Sequence, residues 1–536
     1  MIRAFTTSSL GWVLTWAVLL VTALITRPLL PIDETRYVAA AWEMWTRGDF
    51  LVPHLNGETY SHKPPLMFWA IHAGWSVFGV NEWWPRLVSP LAGLAALFAS
   101  RSLARRLWPD SPEIAAIVPW LLLGGLFWSL FTTVTMFDMW NALLAALGIM
   151  GLVIAAQGRA IGGFGLLGLA IGLGILAKGP VILLYTLPTA LLAPWWLPSD
   201  CKISLGRWYL WVLVAIGLGA AIGLAWALPA AAAGGEAYTK AIFWGQTAGR
   251  VENSFAHGRP WWWYLPLMPL LLYPWSLLPS VWRGRIGIPS RQNWQLRLAL
   301  VWFVPAFVAF CFVSGKQPHY MLPLFPALAL LAARRLGAAG ELHRRDGFLP
   351  GIALILLGGG LAGVTLGLIP VSRMPAWSID VSPLIGFGLI AAGLITVIWR
   401  PVGLLPRVSV LALAGPATIL FIHMFIMPAA APAYDIRTAS RYIAGQQAAG
   451  HPVAIRGEYH SQFHFLGRLT QPVEKVAWGA LKNWMDKNPD GRMILTLRGA
   501  LPDGVKPVFI QPYRGQTLTI WDARGISAHA DTFRTN

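Results

Sequence analysis

At 536 residues the chain is 56% hydrophobic and only 12% charged, about half the charged share of an ordinary soluble domain. Its net charge of +18 lies mostly between apolar runs, which argues against a nucleic-acid surface and fits a membrane protein held in one orientation. Cys201 and Cys311 are too few and too isolated for a disulfide framework or a Cys-based metal site.

Apolar runs of about 20 residues, the length that crosses a hydrocarbon core of about 30 Å, recur from Trp12 to Met427. The first, at 11–30, follows Arg3, has no small-residue cleavage site and reads as a retained signal anchor. Further spans are expected near 86–104, 114–134, 138–156, 161–177, 179–197, 208–230, 262–281, 297–314, 320–334, 348–369, 382–399 and 408–428. The run at 320–334 is short for a full crossing. The predicted fold is a polytopic α-helical membrane protein of about 13 spanning helices. Tryptophan pairs and triplets such as Trp83-Trp84 and Trp261-Trp262-Trp263 fit interfacial belts.

With the N-terminus cytoplasmic, the even-numbered crossings return inward. The inner loops then hold Arg101, Arg105, Arg106, Arg159, Lys202, Arg207 and the arginine groups near 283–297, 334–345 and 400–407, a consistent positive-inside pattern. Asp33, Lys63, Asp138, Lys178, Arg250 and Lys316 fall together on the outer side.

The first outer loop, 31–85, is long. Tyr37, Ala41, Met44 and Trp45 share one face at helical spacing, with Arg36, Glu43 and Arg47 away from it. That spacing predicts an amphipathic helix lying in the interface with its apolar side toward acyl chains. Gly48-Asp49 ends it, and Leu55-Asn56-Gly57-Glu58 reads as a turn. A second long outer loop, 231–261, carries Arg250, Glu252, His257 and Arg259. Pro428 and Pro432 then mark a boundary between a transmembrane unit, 1–430, and a small soluble α/β unit, 431–536, on the outer, periplasmic side. In the latter, helix-like stretches at 436–448 and 476–487 alternate with strand-like ones at 453–456, 493–497, 508–511 and 517–520.

Acids, bases and aromatics beside a membrane-surface helix suit a lipid-linked substrate. A lipid-phosphate donor needs cations for its phosphate, and a hydroxyl acceptor needs a base. Asp33 and Asp138 are candidates for base and orienting partner; Lys63, Arg250 and Lys316 are candidates for the phosphate. Plainer uses stand beside these. An acid at a helix start favours the positive end of the helix dipole, Lys63 before Pro64-Pro65 can snorkel, and Lys178 marks the turn between two spans. His62, His257 and His319 lack any local metal spacing. A transporter or lipid flippase, the competing class, would set its charges near the bilayer midplane and often show paired repeats; a non-catalytic assembly partner is a third.

The motifs Asp33-Glu34-Thr35-Arg36-Tyr37, Gly48-Asp49-Phe50-Leu51-Val52-Pro53-His54-Leu55-Asn56-Gly57 and Tyr60-Ser61-His62-Lys63-Pro64-Pro65-Leu66 resemble the first outer loop of bacterial GT-C glycosyltransferases. The pattern is most similar to the lipid A aminoarabinose transferase type, related to dolichyl-phosphate-mannose protein mannosyltransferases. The resemblance continues through Asp138, Ala177-Lys178-Gly179-Pro180 and Ser314-Gly315-Lys316-Gln317-Pro318-His319-Tyr320-Met321-Leu322-Pro323. It implies a GT-C fold and inverting transfer of a sugar from a polyprenyl phosphate donor to an envelope acceptor such as lipid A, another glycan or a protein, at the periplasmic face of the inner membrane. It further implies Asp33 as the principal catalytic carboxylate and Asp138 as a second active-site acid. Lys63, Arg250 and Tyr320 would hold the donor phosphate, with Lys178 and Lys316 nearby, and Glu34 and His62 are further site candidates. Two departures stand out. His62 occupies a position that is often Glu, and Gln246-Thr247 stand where Glu-His often precedes the arginine. Those Glu and His positions can bind a metal in the aminoarabinose enzyme. The resemblance therefore implies no required cofactor here, leaves a divalent metal doubtful and leaves the donor sugar open.

Overall fold

The computed structural model describes residues 9–245, 258–283, 293–343, 345–498, 501, 506–522 and 525–526. Helix α1 (Leu10–Thr26) is followed by α2 (Asp33–Arg47), a hairpin of β1 (His54–Leu55) and β2 (Glu58–Thr59), and α3 (Leu66–Phe78). Asn56 and Gly57 turn the hairpin with φ of +57° and +83°, the left-handed pair that an Asn-Gly turn supplies. Gly48, also left-handed, caps α2.

The bundle continues through α4 (Trp83–Leu107), α5 (Pro112–Leu123), α6 (Leu126–Phe131), α7 (Asp138–Ala156), α8 (Ala160–Lys178), α9 (Ile182–Leu191), α10 (Ala193–Trp196) and the long α11 (Leu205–Lys240), kinked at Gly235. After α12 (Tyr264–Leu271) and α13 (Pro279–Arg283) come α14 (Trp294–Phe312), α15 (Phe325–Ala339), α16 (Phe348–Thr365), α17 (Leu384–Ile398), α18 (Leu404–Ala412), α19 (Ala414–Phe421) and α20 (Met427–Tyr434). Among the described residues eight helices are long and apolar enough to cross a membrane, and five apolar helices of 10–17 residues accompany them. The chain is a multi-pass membrane protein.

Two parts of this pattern differ from expectation. The stretch at 262–281 is not one span but short helical pieces, because Pro266, Pro269, Pro274 and Pro279 remove donors and clash with preceding carbonyls. Conversely α3, within the presumed first loop, is an apolar helix of 13 residues, about 20 Å long and too short to cross.

Helix α2 forms where the spacing put it, but its apolar face meets protein instead of acyl chains. Tyr37, Ala41 and Met44 are buried with Phe68, Ile71 and Trp75 of α3, with Phe137, and with Phe465 from the C-terminal part of the chain. Glu43, expected on the polar side, is also buried; it accepts hydrogen bonds from Arg47 and from the Gly57 N–H, both at 2.8 Å.

Close packing of α7 on α8 fixes another part of the site. A Cβ on Gly163 would stand 2.4 Å from Ala155 N and 2.5 Å from Gly151 O, so the two backbones meet where only small residues fit. The antiparallel hairpin thereby brings Lys178, the last residue of α8, to Asp138, the first of α7.

The C-terminal part is a five-stranded sheet ordered β4-β3-β5-β7-β6, with β3 (Val453–Arg456), β4 (Glu474–Val476), β5 (Arg492–Leu497), β6 (Phe509–Tyr513) and β7 (Gln516–Asp522). Strand β3 pairs parallel with β4 and β5, while β5, β7 and β6 are antiparallel. Alternate residues serve two cores: Ile494 packs toward α21 (Arg437–Ala448), and Met493 and Leu495 pack toward α23 (Leu481–Lys487). A short α22 (His464–Gly467) sits between β3 and β4. The edge strand β4 went unforeseen because its charged Glu474 and Lys475 carry no apolar alternation.

This unit is fastened to the first loop. Asn56 Nδ2 donates to Val473 O at 2.9 Å, and Val473 N donates to Asn56 Oδ1 at 2.8 Å. Asn56→Ala removes both bonds and leaves buried backbone groups unpaired, a cost of about 1–3 kcal/mol. Amide exchange across 453–476 should rise while α7 and α8 stay protected; unchanged exchange would contradict the docking role.

Candidate active site

The chain leaves α1 at Arg27, turns through Pro28 and enters α2 at Asp33 and Glu34, and these two neighbouring acids point to different places. Glu34 is buried and Asp33 has 53% of its side chain exposed. Glu34 forms a two-point pair with Arg27, at 2.5 and 2.9 Å, and accepts from the N–H groups of Leu30 at 2.8 Å and Thr135 at 2.6 Å. Arg27 also donates to the carbonyl of Thr133. One ion pair thus clamps the end of α1, the start of α2 and the 133–135 segment that leads into Asp138. Burial opposes the charge on Glu34, but Arg27 and the two backbone donors outweigh it and hold the carboxyl below the usual glutamate value.

Asp33, freed from packing, is ion-paired to Arg36 one turn on and receives a 3.4 Å hydrogen bond from Tyr37 OH. Asp138 is the opposite case. Its side chain is 2% exposed and lies 2.5 Å from Lys178 Nζ. Acid at the start of one helix and lysine at the end of its partner each suit the local dipole. Lys178 Nζ also lies over the Tyr320 ring at 4.8 Å, and Tyr185 OH donates to the Tyr320 carbonyl at 2.9 Å.

Lys63 joins the two carboxylates. Its Nζ sits 6.0 Å from the Tyr37 ring centre and 5.4 Å from that of Phe137, one turn after Asp33 and one residue before Asp138. Those two rings are themselves edge-on at 4.9 Å. Asp33, Lys63, Asp138, Lys178 and Tyr320 therefore surround one place at one end of the bundle.

Other expected residues fall differently. Lys316 is buried, and its Nζ donates to the carbonyls of Val313 at 2.5 Å and Arg259 at 3.0 Å, a use that fixes backbone near the Gly258–Gly315 bridge. His62 stacks on Tyr60 with ring centres 5.4 Å apart. Arg250 and Thr247 lie outside the described residues. Glu34 belongs to the scaffold of the site.

Sequence reasoning considered His319 only as a metal ligand and gave Arg27 no role. His319 packs edge-on against Tyr320 at 4.9 Å and against Phe131 at 5.9 Å, within electrostatic reach of Asp33, Lys63, Asp138 and Lys178. A lone histidine carries no local spacing that announces this. Arg27 lies at the end of an apolar run, and only its seven-residue separation from Glu34 hints at the pair.

The family described as dolichyl-phosphate-mannose-protein mannosyltransferase matches residues 62–226. Crystal structures of ArnT from Cupriavidus metallidurans share the architecture. The apo form aligns with a TM-score of 0.73 at 21% identity, covering 96% of this chain and 98% of that one. The form bound to undecaprenyl phosphate aligns with a TM-score of 0.70. Bundle, loop helices and C-terminal sheet together have the GT-C fold of membrane glycosyltransferases.

Two relatives are undecaprenyl phosphate-alpha-4-amino-4-deoxy-L-arabinose arabinosyl transferases. That of Pseudomonas paraeruginosa is 31% identical over 423 residues, 75% of this chain and 71% of the relative. That of Edwardsiella ictaluri is 33% identical over 379 residues, 66% of this chain and 63%, a little under two thirds, of the relative. The chain belongs to this aminoarabinose transferase family of polyprenyl-phosphate-sugar glycosyltransferases.

Removing one partner of a buried ion pair strands the other, which costs about 3–5 kcal/mol. Glu34→Gln should therefore lower the melting temperature of the purified protein sharply, whereas exposed Glu58→Gln should not. Because the folded carboxyl is held below its unfolded value, the Glu34 contribution is full above the ordinary glutamate range and is lost as pH falls through the folded value. A melting temperature unaffected by Glu34→Gln would contradict the clamp.

Proposed function

We propose that this protein moves a sugar from a polyprenyl phosphate donor, undecaprenyl or decaprenyl, to an envelope acceptor, with lipid A first among the candidates. We further propose that it works at the periplasmic face of the inner membrane, with a catalytic membrane unit over 1–430 and an extracytoplasmic unit over 431–536. The observation that carries this reading is the pairing of one exposed carboxylate, Asp33, with lysines placed around a buried one, Asp138. The relatives' use of an undecaprenyl phosphate-linked aminosugar and the positive-inside pattern support donor class and side.

Chemically, the acceptor oxygen attacks the anomeric carbon from the face opposite the leaving group. A new C–O bond forms, the bond to the polyprenyl phosphate breaks, and its electron pair leaves on the phosphate oxygen. The configuration is inverted. Asp33 takes the proton of an acceptor hydroxyl, or orients a phosphate acceptor that is already ionised. Lys63, with Tyr320 and Arg250, offsets the charge that grows on the leaving phosphate. Lys178 adds positive potential, and Asp138 holds its ammonium in place.

No step is routed through a metal. His62 stands where the family often has Glu and is stacked on Tyr60, and Gln246-Thr247 stand where Glu-His often precedes the arginine.

Purified protein incubated with a panel of radiolabelled polyprenyl-phosphate sugars and envelope extract should label an acceptor. Asp33→Asn should lower that turnover by about 100-fold or more, the scale of a lost general base, with folding unchanged. Lys63→Ala should weaken donor use more than acceptor use. Saturable solute flux with no turnover would instead favour a transporter.

A further inference from the structure

The C-terminal sheet unit is built into the same corner as Asp33. Trp42 of α2 donates to Leu469 O at 2.9 Å, Lys475 pairs with Glu58 at 2.9 Å, and Phe465 of α22 stacks on Trp75 of α3 at 5.4 Å. The loop preceding α22, residues 457–462, adjoins the start of α2. Gly457 and Ser461 are both left-handed, with φ of +91° and +56°. For a serine that conformation costs about 1–3 kcal/mol and persists where the surroundings enforce it, often at functional sites. Ser461 is 1% exposed and its hydroxyl has no hydrogen-bond partner among the described residues. The loop is braced around it: Tyr459 OH and His464 Nδ1 are 2.8 Å apart, and His460 N donates to Gln462 Oε1 at 3.2 Å.

This bracing leaves His460 at the seam. Its side chain is 34% exposed and lies 3.7 Å from Glu458. It is within electrostatic reach of Asp33, Arg36 and Arg514. Arg514 sits in the β6–β7 turn with φ of +52°, is exposed, and forms no ion pair with a described carboxylate. Burial first, then Arg36, pushes the His460 imidazole below its ordinary value, so at neutral pH it both donates and accepts a hydrogen bond. A neutral imidazole within electrostatic reach of two guanidinium groups, Arg36 paired with Asp33 and Arg514 hydrogen-bonded to Tyr513, is suited to a phosphate bearing sugar hydroxyls.

We propose that the 457–462 loop is the acceptor-side wall of the active centre, where His460, with Arg36 and Arg514, positions a phosphate-bearing glycolipid headgroup against Asp33. This rests on the transferase reading above. His460 is a positioning residue; it takes no part in bond making, and the lysines around Asp138 serve the donor from the other side.

The test is binding by the full-length chain in nanodiscs, with lipid A and with undecaprenyl phosphate as separate probes. His460→Ala should weaken lipid A binding about ten- to a hundredfold, the scale of one lost hydrogen bond to a charged group, and leave undecaprenyl phosphate binding unchanged. His460→Gln, which keeps a donor and an acceptor, should restore most of the loss. Lys63→Ala should show the reverse selectivity. Lipid A binding untouched by His460→Ala, equal loss for both lipids, or no lipid A binding by the unaltered chain would each overturn the proposal. Binding of both lipids without turnover of any donor would strike the transferase reading instead, so the two failures are separable.

Discussion

The placement of Asp33 relative to the entry of α7 depends on the buried pair of Arg27 and Glu34. Two charges removed from water are costly, and in the interior they persist only when their geometry is good and their remaining hydrogen-bonding capacity is used. Here the pair is two-pointed, and the spare oxygens and N–H groups are taken by backbone at Leu30, Thr133 and Thr135. Because those partners come from three separate stretches, the pair sets where α2 starts relative to the entry of α7. Asp33 is the residue beside Glu34, and Asp138 follows Thr135 by three. The spacing between an exposed carboxylate and a buried one is thus a consequence of a salt bridge that touches neither.

The division of labour between the two acids follows from their surroundings. Asp33 keeps solvent contact and only a local arginine, which suits a group that must meet a substrate. Asp138 is sequestered with Lys178, so its charge is spent on holding an ammonium at the end of α8. Close backbone contact at Gly151 and Gly163 makes that meeting possible. Lys63, lying over Tyr37 and Phe137, then sits between the acids.

Much of this was legible in the sequence, for physical reasons that are easy to state. Charged residues at the ends of apolar runs are costly unless used, so Asp33, Asp138, Lys63 and Lys178 stood out, and the α7–α8 hairpin follows from two runs joined at Arg159. The Asn56-Gly57 turn and strand β3 were equally plain, because their signals are local. What escaped depends on contacts distant in sequence. The apolar stripe of α2 predicts a covered face but not its cover, which is α3 and Phe465 and not lipid. Lys316 reads as a free cation until its carbonyl partners are seen. His319 and His460 carry no spacing signal at all; only folding brings them beside the acids. The prolines between 266 and 279 were visible, yet hydropathy alone joined them into one span.

The docked sheet unit brings both parts of the chain to the same corner, and the proposed reading draws its donor-side cations from the bundle and its acceptor wall from the loop before α22. The most direct measurement of the central claim is photolabelling with an undecaprenyl phosphate analogue whose reactive group sits next to the phosphate, followed by peptide mapping. Label on peptides containing Lys63, Phe137, Lys178 or Tyr320 is the result predicted for a donor phosphate held between the two carboxylates. Label confined to the apolar cavity lined by Leu121, Leu271, Trp275 and Phe325, with none near Asp33 and Asp138, would contradict it.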